Sequence, residues 1–197
     1  MRKDYEIILK LIPENSKVLV IGCSDGELIS YLENKGVSAQ GVELNQEKVI
    51  KCLEKGLDVI HGDINLIVED FPFNQFDYCL LTQTIQAVQK PDQLLNTLKK
   101  VSKNIIVSFN NSARLSKISN FLLSGSFDSL LKKADSDHWY NTDYIHPCSI
   151  KDFKKLAANL NLKIISTFDV INQRKFENGK IPSNLFCKEV LFHITDE

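Results

Sequence analysis

Four short stretches of this sequence combine glycine and polar residues in the way a small-ligand site needs. The first is Gly22-Cys23-Ser24-Asp25-Gly26. Glycines let the backbone turn sharply at a strand end and approach a ligand with no Cβ in the way. A helix that starts just after such a turn presents unpaired N–H groups. The second stretch is Glu43-Leu44, with Glu43 seventeen residues past Gly26. An acid at a strand tip is placed to accept hydrogen bonds from a ribose diol. The third is Gly62-Asp63-Ile64. There an acid can take an adenine amino group, and an isoleucine can pack on the ring; an Asx-turn is the alternative. The fourth is Thr82-Gln83-Thr84, which either lines the crevice beside the first strand or caps a short helix. The glycine spacing is G-x-x-x-G, not the G-x-G-x-x-G of dinucleotide folds. A tight turn with an incidental acid is the competing reading of the first two stretches.

Other chemistries find little support. Cys23 sits near a helix N-terminus, where a thiol pKa can fall, but no histidine partner is evident in the sequence. His138, His146 and Cys148 lack standard zinc spacing, so no metal site is expected. Neither a G-x-S-x-G elbow nor a phosphate-binding P-loop is present.

These stretches need elements to position them. Lys17-Val18-Leu19-Val20-Ile21-Gly22 is a continuous apolar run ending in glycine, as a strand buried on both faces reads. A helix is expected from Asp25 to Lys35 and a strand from Val37 to Leu44. Asn45 caps a helix over Gln46 to Lys55, and Leu57 to His61 reads as a third strand. Phe76 to Leu81 and Asn104 to Phe109 are further strands, separated by a helix that Pro91 opens. Five β-α alternations point to a parallel sheet with its carboxyl ends on one edge.

The second half reads differently. Residues 110–148 are rich in Asn, Ser, Asp and aromatics and contain one expected helix, Ala113 to Leu123. They read as an insertion or lid over the carboxyl edge. Ser149 caps a helix with Ile150, Phe153, Leu156, Ala157 and Leu160 on one face. Leu162 to Ile171 and Cys187 to Thr195 read as a terminal strand pair. Asn172 to Phe186 is too short for a crossover helix, so that pair is expected to be antiparallel.

Composition bounds the rest. A chain of 197 residues can bury roughly 70% of its unfolded surface, which suits one domain over 1–197. The formal net charge of -1 supplies no field for nucleic acid. No apolar run nears the length of a membrane span, and Met1 to Tyr5 does not open a signal peptide. Five scattered cysteines read as free thiols in a reducing, cytoplasmic setting.

Taken together, the glycine loop, Glu43, Asp63 and the terminal strand pair resemble a class I S-adenosylmethionine-dependent methyltransferase fold. More specific are Phe76-Asp77-Tyr78-Cys79-Leu80-Leu81-Thr82-Gln83-Thr84-Ile85-Gln86-Ala87, Trp139-Tyr140-Asn141-Thr142, Ile145-His146 and Ser149-Ile150-Lys151-Asp152-Phe153. These segments resemble the methionine-biosynthesis protein MetW family. The likeness implies an α/β, Rossmann-like fold with a mostly parallel seven-stranded sheet, helices on both faces and an antiparallel C-terminal strand. It implies S-adenosylmethionine or S-adenosylhomocysteine held by Gly22, Cys23, Ser24, Gly26, Glu43, Leu44, Asp63, Ile64, Thr82 and Gln83. Two positions depart from the usual pattern. Val20 stands where an acid commonly precedes the loop, and Ser24 where its middle glycine does.

Two functions follow as expectations. In the first, the chain is an accessory partner or activator of homoserine O-acetyltransferase. In the second, it transfers a methyl group to a small molecule. Methyl transfer requires positioning and, for some acceptors, a base. His146 and Tyr140 are the candidates, with His138 beside Trp139, and each also reads as a packed residue of an aromatic loop.

Overall fold

A computed structural model describes residues 1–127, 146–177 and 179–196. The chain begins with α1 (Lys3–Leu11) and then enters β1 (Lys17–Ile21), where Val18, Leu19, Val20 and Ile21 are fully buried. A strand apolar on both faces needs cover on both, so neighbouring strands flank it and helices lie above and below. β1 pairs in parallel with β2 (Ser38–Glu43) on one side and β4 (Phe76–Thr82) on the other. β2 pairs in parallel with β3 (Val59–His61), and β4 with β5 (Ser102–Asn110). The crossovers carry α2 (Glu27–Asn34), α3 (Gln46–Glu54), the short α4 (Ile64–Ile67) and α5 (Pro91–Val101). All five carboxyl ends lie on one edge. The chain reverses its direction of travel between β1 and β4, which opens a crevice there.

After β5 come α6 (Leu115–Ser124), α7 (Ile150–Asn159), β6 (Leu162–Asp169), β7 (Arg174–Glu177) and β8 (Glu189–Asp196). β8 inserts between β5 and β6, antiparallel to both, as the short connection requires. The order is β3-β2-β1-β4-β5-β8-β6-β7. The seven expected strands are all present, and β7 is an eighth at the edge. Its charged, exposed Arg174, Lys175 and Glu177 suit an edge and hide the strand from a hydrophobic pattern.

Each face of the sheet has its own apolar layer. On one, α5 and α7 cover β5 and β8, and Phe109, Phe153 and Phe192 meet at centroid distances of 4.7–6.0 Å. Replacing Phe153 by alanine there costs about 3–5 kcal/mol. On the other, α1, the Ile12 that follows it and α2 pack Ile8, Ile12, Leu28, Ile29 and Leu32 against β1. Ser149 caps α7 as expected, and the structure adds a full capping box, with Asp152 returning the bond.

α1 is absent from the pattern read off the sequence. Its buried face includes Asp4, which is 1% exposed. That carboxylate accepts from Arg2 through Nε at 3.1 Å and Nη2 at 2.7 Å, from the Tyr5 amide at 3.1 Å and from Ser108 Oγ at 2.9 Å. A charge in an interior position breaks the apolar stripe but anchors the helix to β5. Among the described residues, no helix is long and apolar enough to cross a membrane. The five cysteines are free thiols.

Candidate functional site

The first βα turn is built by three residues with positive φ: Gly22 at 68°, Ser24 at 52° and Gly26 at 77°. Gly22 is required there. A Cβ on it would lie 2.7 Å from Thr84 Oγ1, which itself donates to the Ile21 carbonyl at 3.1 Å. Ser24 adopts the left-handed conformation at a cost of about 1–2 kcal/mol. Its amide donates to Glu43 Oε2 at 2.8 Å, which holds the loop in that shape.

Glu43 ends β2 at 8% exposure. Its other oxygen, Oε1, accepts from the Asn45 amide at 2.9 Å. A carboxylate has about four lone-pair sites, so each oxygen keeps capacity for one further donor. Next to it, Asn45 Oδ1 caps α3 by accepting from the Lys48 amide at 3.2 Å. Asp63 caps α4, with Oδ1 accepting from the Asn65 amide at 2.9 Å and Asn65 Nδ2 at 2.7 Å. The Asx-turn and the candidate ligand contact are thus compatible at this residue, because Oδ2 is left to a second partner.

Gly22, Glu43, Leu44, Asp63 and Ile64 converge on one cavity of about 490 Å³ at the carboxyl edge. That volume suits a small-molecule ligand. Val42, Asn45, Lys48, Asn65, Thr84 and Val88 complete much of its wall. Apart from Thr84, none of these six carries a ligand role in the sequence reading. Thr84 was named beside Thr82 and Gln83, and it alone of the three faces the cavity. Strand-tip position was the usable signal; which of three consecutive side chains turns inward depends on the turn geometry. Gln83, with φ of 59°, instead swings to Glu189 Oε1 at 2.8 Å and accepts from Asn110 at 2.9 Å. No helix follows it; residues 85–87 form a turn.

Cys23, Ser24 and Gly26 do not line the cavity. Cys23 is 5% exposed and packs into the α2 layer, in space that Gly41 leaves open beside its sulfur. Burial, with Cys52 and Glu43 nearby, pushes its thiol up to about 12. It is therefore a protonated packing residue rather than a nucleophile. Of the candidate bases, His146 has Nε2 3.1 Å from the Gln89 carbonyl and its amide bonded to the Gln86 carbonyl. Tyr140 and His138 lie outside the described residues, as does much of the 110–148 segment. Among the described residues, no three metal-ligating side chains converge.

The fold has many solved counterparts. It is similar to a SAM-dependent methyltransferase from Methanosarcina mazei, with a TM-score of 0.70 at 15% identity, covering 96% of each chain. It is also similar to a TehB-like SAM-dependent methyltransferase from Corynebacterium glutamicum, with a TM-score of 0.65 at 14% identity, covering 100% of this chain and 89% of that one. Identity that low establishes the Rossmann-like methyltransferase fold. Sequence similarity is more informative. The chain is 31% identical over 202 residues to the bifunctional methionine biosynthesis protein MetXA/MetW of Rhodopirellula baltica. That match takes in 96% of this chain and 32% of the relative, so the chain spans about a third of that protein's length. A family model, methionine biosynthesis protein MetW, matches residues 2–194. A match of that extent runs from the first turn of α1 into β8, and on it the chain belongs to the MetW family.

Proposed function

We propose that this chain binds S-adenosylmethionine or S-adenosylhomocysteine at the rim cavity and serves as an accessory partner of homoserine O-acetyltransferase in methionine biosynthesis. One observation carries the ligand half: the Glu43 carboxylate, held in place by two backbone amides, faces the cavity with acceptor capacity to spare. A ribose diol donates two hydrogen bonds, and charge-assisted acceptance is the stronger kind. In this reading Asp63, on the same cavity wall, accepts from the adenine amino group, and Leu44, Ile64 and Val88 make apolar contact with the ring. The residues present therefore fit an adenosyl ligand. Bound, such a ligand brings either a transferable methyl group or, once demethylated, a measure of the methyl cycle.

The partner half is supported by the Rhodopirellula baltica relative, whose name joins MetXA and MetW in one chain. A fused arrangement keeps two modules at high effective concentration, as functional partners require. The accessory role is favoured over methyl transfer because His146, the described candidate base, is not among the described residues that line the cavity.

The test mixes purified chain with homoserine O-acetyltransferase and follows acetyl transfer with and without S-adenosylhomocysteine. A change of at least twofold in kcat/KM, saturable in this chain, is expected. An unchanged rate at excess chain would refute the partnership.

A further inference from the structure

Of the five residues from Gly22 to Gly26, only Gly22 lines the rim cavity. The loop's donors are spent internally. The Gly22 and Cys23 amides donate to the Val42 carbonyl at 2.8 and 3.3 Å, and the Gly26 amide to the Cys23 carbonyl at 3.1 Å. The Ser24 amide belongs to Glu43. Four of the five amides, all but that of Asp25, are thus committed. An α-carboxylate is held by N–H donors or cations. Among the described residues the loop offers it only the Asp25 amide, and the cation that lines the cavity, Lys48, stands on α3 just past Glu43 and Asn45, on the nucleoside side.

Charge in the loop compounds this. Asp25 and Glu27 flank it, and the Ser24 hydroxyl donates to Asp25 at 2.8 Å, holding that carboxyl below its usual range. The Lys55 ammonium is bonded to the Asp25 carbonyl. An α-ammonium pairing with Asp25 would carry its own carboxylate to the same acidic rim, because both groups sit on one carbon. The start of α2 gives no relief. Glu27 occupies its first turn, and a Cβ at Gly26 would lie 2.3 Å from Leu57 and 3.0 Å from Cys52. The nucleoside end of the cavity, by contrast, has an acceptor for the diol, an acceptor for the amino group and apolar walls.

We infer that the cavity recognises the 5′-thioadenosine part of an S-adenosyl ligand and gains nothing from the amino-acid part, so that 5′-methylthioadenosine binds on a par with S-adenosylhomocysteine. This rests on the adenosyl reading above and narrows its ligand class.

Calorimetry with these two nucleosides on the full chain decides it. Dissociation constants within threefold of each other are expected. Asp25→Ala is expected to change neither by more than twofold, and Glu43→Gln to weaken both by the same factor. S-adenosylhomocysteine binding tenfold or more tightly than 5′-methylthioadenosine would overturn the inference and leave the adenosyl reading intact. So would Asp25→Ala weakening S-adenosylhomocysteine alone. No heat from either at millimolar concentration would overturn both. The wild-type comparison decides the matter even if Glu43→Gln folds poorly.

Discussion

The Ser24 amide donates to Glu43 Oε2 at 2.8 Å, so the acid at the tip of β2 is also the clasp of the loop after β1. The same carboxylate holds the Asn45 amide at the start of α3. Glu43→Ala leaves both amides without that partner, and each unmet donor costs about 1–3 kcal/mol where water is excluded. At 8% exposure, the expected loss in ligand-free urea denaturation is about 2 kcal/mol, with Glu43→Gln losing about half as much. An unchanged midpoint for the alanine variant would show that the clasp carries no load.

A second clasp holds the N-terminal helix. Asp4 ties α1 to Ser108 on β5 and is 1% exposed. Asp4→Ala strips Arg2 and Ser108 of an acceptor and is expected to destabilise by about 2–3 kcal/mol. Hydrogen exchange on α1 checks the mechanism: its amides should lose protection before those of β1. Equal loss across both elements would point to global unfolding instead.

His193 gives the pH dependence its sign. Burial, with a smaller contribution from Lys175, holds the ring's pKa below its usual 6.5. The unfolded chain therefore takes up a proton near pH 6.5 that the folded chain resists. Stability is present in full above 6.5 and declines as pH falls toward the depressed value. His193→Gln, able to keep a hydrogen bond to Asn104 Oδ1, is expected to lose less stability than wild type between pH 7.5 and 5.5. Thermal midpoints at the two pH values measure this. Equal losses would remove His193 from the explanation.

What the sequence made legible follows from which signals are local. The run from Val18 to Ile21 could only be a two-sided strand, and Ser149 and Asn45 are caps whose partners lie three residues away. Glu43 and Asp63 were found because strand tips are countable. α1 and β7 were missed because their pattern is set by distant partners. Asp4 is buried only because Arg2 and Ser108 receive it, and β7 is polar because it is an edge. Cys23 sits in a ligand-type loop, yet its side chain turns inward because Gly41 leaves room beside the sulfur. No local rule reveals that vacancy.

Titration of S-adenosylhomocysteine into wild type and Glu43→Gln by calorimetry probes the ribose grip most directly. One-to-one binding in the micromolar range, weakened at least tenfold in the variant, is the expected result. No saturable heat with wild type, or equal affinity for both proteins, would contradict a nucleoside held by that carboxylate.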